Sequence, residues 1–346
     1  MYRCLFLAFW SVFFSQAKAD ESGASVLSEY FGRTIPTQDS LNSPTDDNPD
    51  AQSCLNGLCW ESDHFNVHCS PPTRRGPDAV LRFPSARSTE IPQNDSVRVE
   101  WYALSNDAGK VINGPAMVVV HESGRGMTVG RMVARGIRDR GIHAFMVQLP
   151  FYGSRRPASV SVADQNFGTV MEQGIADVRR TRDAVAALPC VEANQISLQG
   201  TSLGGFLSAT TAGLDDAFKS VFILLAGGDL PKLIATGERE TAQVKELLAT
   251  QGYVGERMHK LLNRFEPNRL AHRISAERLW LFSASFDTTV PPVHADSFAK
   301  AAGLNDDHHV RLPATHYSGV IFLPVVLDQS APKAGGRAIL KKSASE

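Results

Sequence analysis

Short apolar runs alternate with longer amphipathic segments through the middle of the chain. The runs predict strands buried inside a sheet and lie at 116–120, 144–149, 196–198, 221–225 and 279–282. Helical spacing is found at 127–138, 170–188 and 295–302, and a further short strand is predicted at 310–312. This repeated alternation predicts an α/β fold in which helices flank a mostly parallel central sheet.

The segments at the two ends have a different composition. Residues 20–77 are rich in Ser, Asp, Asn, Pro and Gly with little apolar periodicity, so a polar, partly disordered extension containing cysteines is expected there. The compact domain is predicted over 78–330, and its first strands, at 80–83 and 97–104, are expected to pair antiparallel. The tail at 331–346 is basic, rich in Gly, Ser and Ala, and predicted to be mobile.

One long charged segment, 231–273, is compatible with helix and has no strand of its own. Insertions at this point of an α/β fold usually cover the pocket, which favours a small helical lid. An ordinary crossover helix with a long loop is the alternative interpretation.

The first 19 residues have the pattern of a secretory signal peptide. Arg3 supplies the positive charge, residues 5–14 the apolar stretch, and Ala17-Lys18-Ala19 the cleavage site. The apolar stretch is too short for a membrane anchor, since a spanning helix needs about 20 residues. A secreted or periplasmic protein is therefore expected. The formal net charge of −1, with scattered Lys and Arg, indicates neither a nucleic-acid partner nor a membrane-binding patch.

Export would place Cys54, Cys59, Cys69 and Cys190 in an oxidising compartment, where disulfides are more common than metal ligation by cysteine. Two pairings are considered. The first joins Cys54 to Cys59 and Cys69 to Cys190, and the second joins Cys59 to Cys69 and Cys54 to Cys190. Free thiols are the alternative if the chain is not exported.

The sequence Gly200-Thr201-Ser202-Leu203-Gly204 follows a predicted strand and precedes a segment compatible with helix. This G-x-S-x-G arrangement predicts a sharp strand–turn–helix elbow that exposes the Ser202 hydroxyl at the carboxyl edge of the sheet. A serine hydroxyl holds its proton at neutral pH, so it needs an imidazole base, and the base needs a carboxylate that orients it.

Acid and base candidates follow in chain order. Asp287 ends a buried strand within an Asp-x-x-Val-Pro sequence, and His316 follows the last short strand. Two backbone N–H groups are needed to bind the negative charge that develops on the substrate oxygen, the oxyanion. Leu203 is expected to supply one of them. Ser123, in the loop after the strand at 116–120, is expected to supply the other.

These elements resemble the α/β-hydrolase superfamily over 79–327. The compact size and the Gly-Thr-Ser-Leu-Gly-Gly elbow are similar to the dienelactone-hydrolase and acetyl-esterase-like branch, although dienelactone hydrolases have cysteine at the position of Ser202. The loop from His121 resembles the His-Gly-x-Gly loop of esterases, with Glu122 in place of the first glycine. The resemblance implies a serine hydrolase that cleaves a small-molecule ester through an acyl-enzyme, with no cofactor and no metal.

Some alternatives stay open at this stage. A thioesterase or serine peptidase of the same fold would use the same three residues. A non-catalytic extracellular binding module is favoured by Glu122, because a carboxylate near a developing anion is unfavourable unless it points away. Arg155 and Arg156 are candidates for binding a substrate carboxylate, or they pair with surface acids. The sequence does not indicate an oligomeric state.

Overall fold

The computed structural model describes residues 27–42, 44–161 and 165–339, and within these residues ten strands form one sheet. In chain order they are β1 (Thr34–Gln38), β2 (His64–Ser70), β3 (Ala79–Pro84), β4 (Ser96–Tyr102), β5 (Gly114–Val120), β6 (His143–Gln148), β7 (Val191–Thr201), β8 (Val221–Leu224), β9 (Leu279–Ala284) and β10 (His309–Leu312). Their order across the sheet is β1-β2-β3-β4-β6-β5-β7-β8-β9-β10. Strands β1 to β4 pair antiparallel, as do β4 and β6, and the remaining pairs are parallel. The carboxyl ends of β5 to β10 therefore share one edge.

The helices of the described residues are α1 (Pro49–Leu58), α2 (Pro92–Asp95), α3 (Thr128–Arg138), α4 (Phe167–Ala186), α5 (Leu203–Ala212), α6 (Leu230–Thr236), α7 (Glu240–Thr250), α8 (Gly255–Asn263), α9 (Pro267–Leu270), α10 (Pro292–Ala301) and α11 (Leu323–Ser330). Short 3₁₀ turns add Ser28–Tyr30, Gly153–Arg155, Ala271–Arg273, Ala276–Arg278, Ser318–Phe322 and Pro332–Ala334. None of the helices in the described ranges is long and apolar enough to cross a bilayer.

Helices cover both faces of the sheet. Val118 and Val119 of β5 point to opposite faces, because successive side chains of a strand alternate. Val119 belongs to the core under α3 and α11, and Val118 to the core under α4 and α5. The predicted α/β class, with a mostly parallel sheet between helical layers, is confirmed.

The N-terminal segment differs from the sequence-based expectation of a partly disordered extension over 20–77. Its described part contributes β1, α1 and β2, and β1 forms the outer edge of the sheet. In β2, Phe65, Val67 and Cys69 are buried while the residues between them are exposed. This period-two pattern was hidden by the polar composition around it. The sheet therefore extends well before residue 78.

The structure contains none of the predicted disulfides among its described cysteines. Cys54, Cys59, Cys69 and Cys190 are all free thiols. Cys54 lies in α1 and Cys59 directly follows that helix, so they are separated by about 7.5 Å along the axis, too far for a disulfide. The Cys54 thiol instead donates to the carbonyl of Asn263 at 3.3 Å. Burial raises the pKa of Cys59 and of Cys69 to about 11, and it also raises the pKa values of Cys54 and Cys190.

The helical insertion and the C-terminal tail are the two remaining segments for which the sequence makes a prediction. The regular elements within residues 231–273 are all helical, and they include α7, α8 and α9. The tail was expected to be mobile from 331, but Ala331 and Ala334 are buried and the Arg337 amide donates to the Arg140 carbonyl at 2.9 Å. Small residues allow this close packing. The predicted signal peptide at 1–19 and residues 340–346 lie outside the described residues.

Candidate active site

Ser202 stands between β7 and α5, at the carboxyl edge of the sheet, in a strained backbone conformation with φ 53° and ψ −117°. Two glycines make this turn possible. A Cβ added to Gly200 would lie 2.2 Å from the Gly204 carbonyl oxygen, and one added to Gly204 would lie 2.3 Å from the Val120 carbonyl oxygen. The Ser202 amide donates to the Leu224 carbonyl at 2.9 Å, which fixes the turn against β8. The elbow therefore depends on glycine for close approach of backbone to backbone.

Ser202, His316 and Asp287 form one hydrogen-bonded chain. The Ser202 Oγ lies 2.9 Å from His316 Nε2, and His316 Nδ1 lies 2.7 Å from Asp287 Oδ2. Because a carboxylate accepts only, Nδ1 carries the imidazole proton and Nε2 is free to accept from the serine hydroxyl. The other oxygen of buried Asp287 accepts from the amides of Thr289 and Val290 at 2.9 and 2.8 Å, which hold the carboxylate in place. The arrangement suits abstraction of the Ser202 proton by His316.

The loop after β5 carries Ser123 beside Ser202 and His316. His121 fixes the backbone of this loop. The His121 Nε2 accepts from the Leu149 amide at 3.1 Å, so Nδ1–H donates to the Glu122 carbonyl at 2.6 Å. In a trans peptide the N–H points opposite to the carbonyl, so this contact also sets the direction of the Ser123 N–H. Burial lowers the pKa of His121 to about 4, which keeps the ring neutral. The hydroxyl of Tyr152 donates to the Ser123 carbonyl at 3.0 Å.

Glu122 uses its carboxylate to cap α3. Its Oε1 accepts from the Val129 amide at 3.1 Å and its Oε2 from the Gly130 amide at 3.0 Å. Met127, directly before the helix, is in the left-handed region and provides no side-chain cap. The negative charge of Glu122 is therefore balanced by the positive end of the helix dipole.

Of the two candidate arginines, Arg155 does not face the site, and its assignment to a substrate carboxylate is wrong. Its side chain is fully buried, donates to the carbonyls of Asn94 and Gln148 at 2.8 and 2.9 Å, and pairs with Asp177 at 2.8 Å. The pairing with a buried acid was not visible in the sequence, because Asp177 lies on the distant helix α4. Arg156 instead lines a cavity beside the site.

Three cavities meet around Ser123 and Glu240. The large apolar cavity, of about 640 Å³, runs from Ser202 and His316 between α3 and α11 and is lined by Met132, Leu225, Phe282, Leu323 and Val326. The small apolar cavity, of about 250 Å³, runs from Ser202 under the helical insertion and is lined by Leu203, Phe206, Leu230, Val244 and Phe265. The polar cavity, of about 510 Å³, is lined by Arg125, Tyr152, Arg156, Gln165 and Gln243.

From the sequence, His121 is identified only as the start of the loop that contains Ser123, and the side chains of His121, Tyr152 and Glu240 are given no role. His121 and Tyr152 hold the Ser123 loop, while Glu240 lines all three cavities. The position of His121 at the end of a buried strand was a usable signal, since a polar ring there needs hydrogen-bond partners. Glu240 gave no signal, because its position depends on how the insertion folds back over the sheet.

Neither a protein-family model nor a curated protein sequence matches the chain. Solved structures do match. Acetyl xylan esterase 1 from Thermoanaerobacterium sp. is 15% identical with a TM-score of 0.54, and the match covers 86% of this chain and 96% of that one. The acetyl xylan esterase from Paenibacillus sp. is 14% identical with a TM-score of 0.54, and the match covers 87% and 98% of the two chains.

A puromycin-hydrolyzing peptidase of Mycobacterium tuberculosis is 16% identical with a TM-score of 0.53, and the match covers 79% of this chain. This chain spans only 46% of the peptidase. At such low identities the likeness shows a shared fold.

Proposed function

We propose that this protein, which has the α/β-hydrolase fold, is a serine hydrolase that cleaves a small-molecule carboxylic ester. The observation that carries the proposal is the chain from Ser202 Oγ to His316 Nε2 at 2.9 Å and from His316 Nδ1 to Asp287 Oδ2 at 2.7 Å. It unites a nucleophile, a base and an orienting acid in one hydrogen-bonded unit beside cavities large enough for a small molecule.

In the proposed reaction, Ser202 Oγ attacks the ester carbonyl carbon while its proton passes to His316 Nε2. The backbone N–H groups of Leu203 and Ser123 bind the oxyanion, and Asp287 stabilises the imidazolium. His316 then gives the proton to the leaving alkoxide oxygen as its bond to carbon breaks. Water attacks the acyl-enzyme, loses a proton to His316, and releases the carboxylic acid as Ser202 regains its hydrogen. This reaction needs no cofactor and no metal, since every group belongs to the chain.

Glu122 was the residue that favoured a non-catalytic binding module. Its carboxylate accepts two amide hydrogen bonds from the first turn of α3, so its charge is engaged there. This contact supports the enzyme over the module. The same nucleophile, base and acid would also cleave a thioester or a peptide, so those substrates belong in the test.

The proposal is tested by comparing the native protein with Ser202→Ala on p-nitrophenyl esters, a thioester and a peptide amide. Ser202→Ala should lower kcat by several orders of magnitude, about the loss known for removal of a triad serine. Labelling by a fluorophosphonate should disappear in the same variant. Ser159→Ala, at an exposed position, is the matched control and should keep both properties. Normal ester turnover by Ser202→Ala would refute the proposal.

We further propose that the protein is exported, with residues 1–19 removed. The support is the sequence pattern of those residues. N-terminal sequencing of protein recovered outside the cytoplasm of an expressing cell tests this. A mature chain that still begins at Met1 would contradict it.

A further inference from the structure

The two apolar cavities both begin at Ser202 and extend from it in different directions. Both are lined by Ser202 and Ser123, but only the large one has His316 in its wall. Only the small one is lined by Leu203 and Phe206, on the opposite side of the elbow. This asymmetry assigns the two halves of a substrate, given the proposed hydrolysis at Ser202.

The tetrahedral intermediate has four groups around one carbon. Ser202 Oγ is one, and the oxyanion directed to the amides of Leu203 and Ser123 is the second. The leaving oxygen must lie within hydrogen-bond reach of His316 Nε2, because that nitrogen returns the proton. The alcohol half therefore extends into the cavity that His316 lines, and the acyl half extends into the other one.

We propose that the substrate is an ester with two apolar halves, whose alcohol group occupies the large cavity and whose acyl chain occupies the small cavity. Aliphatic and aromatic side chains dominate both walls, so an apolar group that enters either cavity is removed from water. The larger volume, about 640 Å³ against about 250 Å³, allows a bulkier alcohol than acyl group.

Two tryptophan substitutions separate the cavities. Met132 lies on α3 in the wall of the large cavity and is 41% exposed, so Met132→Trp narrows the cavity without displacing buried neighbours. Val244 lies on α7 in the wall of the small cavity and is partly exposed, so Val244→Trp narrows that one. Val254→Trp is the matched control, because Val254 is exposed and is absent from both walls.

The measurement is the ratio of kcat/KM for octyl acetate to kcat/KM for methyl octanoate. Met132→Trp should lower this ratio about tenfold and Val244→Trp should raise it about tenfold, the scale on which apolar pockets discriminate by size. Val254→Trp should leave the ratio unchanged. If a tryptophan variant fails to fold, Met132→Ala and Phe206→Ala enlarge the same cavities and should change the ratio in the opposite directions.

Each outcome bears on a different statement. Reversed changes would show that the acyl chain occupies the large cavity, and unchanged ratios would show that neither cavity holds the substrate. Either result overturns this assignment while ester hydrolysis stands. A native protein that hydrolyses no ester, yet retains a folded thermal transition, would instead overturn the proposed function.

Discussion

The hydroxyl of Tyr317 donates to the carboxylate of Glu240 at 2.6 Å, and this contact joins the loop that carries His316 to the first turn of α7. The guanidinium of Arg239 lies over the Tyr317 ring, 5.2 Å from its centroid. Thr241 donates to the Thr289 carbonyl at 2.9 Å, in the loop that carries Asp287. The helical insertion is thus attached to both the loop that carries His316 and the loop that carries Asp287.

Replacing Tyr317 with phenylalanine should loosen this attachment. The side chain is half exposed, so loss of the hydrogen bond should cost only about 0.5–1 kcal/mol of unfolding free energy. Amide hydrogen exchange over α7 should become faster, because opening of this helix no longer requires the hydrogen bond between Tyr317 and Glu240 to break. Tyr253→Phe is the control, because Tyr253 lies in the same insertion but outside this contact. Unchanged exchange in Tyr317→Phe would contradict the attachment.

Glu122→Ala should destabilise α3 and displace the loop that carries Ser123. Loss of the cap is expected to lower the free energy of unfolding by about 1 kcal/mol. Ester kcat/KM should fall as well, because the Ser123 N–H loses its fixed position. Glu122→Gln should be intermediate, since its amide keeps one accepting oxygen. Glu246→Ala, at an exposed position on α7, should affect neither measurement. Equal stability and activity in Glu122→Ala would refute this role.

Two glycine-to-alanine substitutions should have opposite signs. Gly204→Ala places a Cβ against the Val120 carbonyl oxygen and should destabilise the fold by about 3 kcal/mol or more. Gly57 lies in α1, where an added Cβ meets nothing closer than 3.9 Å, so Gly57→Ala should stabilise by about 0.5–1 kcal/mol. Urea denaturation measures both changes. A stable and active Gly204→Ala protein would show that the elbow is less tightly packed than described.

Acid should weaken the fold through buried histidines. Burial lowers the pKa values of His121, His143 and His309 from 6.5 to about 4. Between these values the unfolded chain binds more protons than the folded one, so stability is full above about 6.5 and falls as the pH decreases toward 4. Urea denaturation at a series of pH values measures the slope. His143→Gln should reduce that slope, because one titrating group is removed. An unchanged slope would contradict a contribution of His143 to the pH dependence of stability.

Local patterns made the centre of the fold predictable from sequence. Buried parallel strands are apolar along their length, and the elbow around Ser202 needs glycines at fixed spacing, so both leave a local signature. Asp287 and His316 could be selected because each follows a strand whose carboxyl end reaches the same edge. The structure brings these three side chains together.

The remaining features depend on contacts between distant residues. Arg155 looked available for a ligand, but its partner Asp177 lies on another element, and no local pattern reveals such a pairing. Strand β2 has a clear alternation over only a few residues, surrounded by polar sequence. The disulfides were inferred from the supposed compartment, whereas helix α1 keeps Cys54 and Cys59 apart.

The free thiols give the protein a set of internal reporters. A thiolate reacts with alkylating reagents far faster than a thiol, and burial with a raised pKa suppresses the thiolate. Labelling of a given cysteine therefore times the opening of its own surroundings: Cys54 and Cys59 record the release of α1, and Cys69 records the detachment of β2. Mass spectrometry of the alkylated protein can therefore follow unfolding region by region, and no labelling site has to be introduced by mutation.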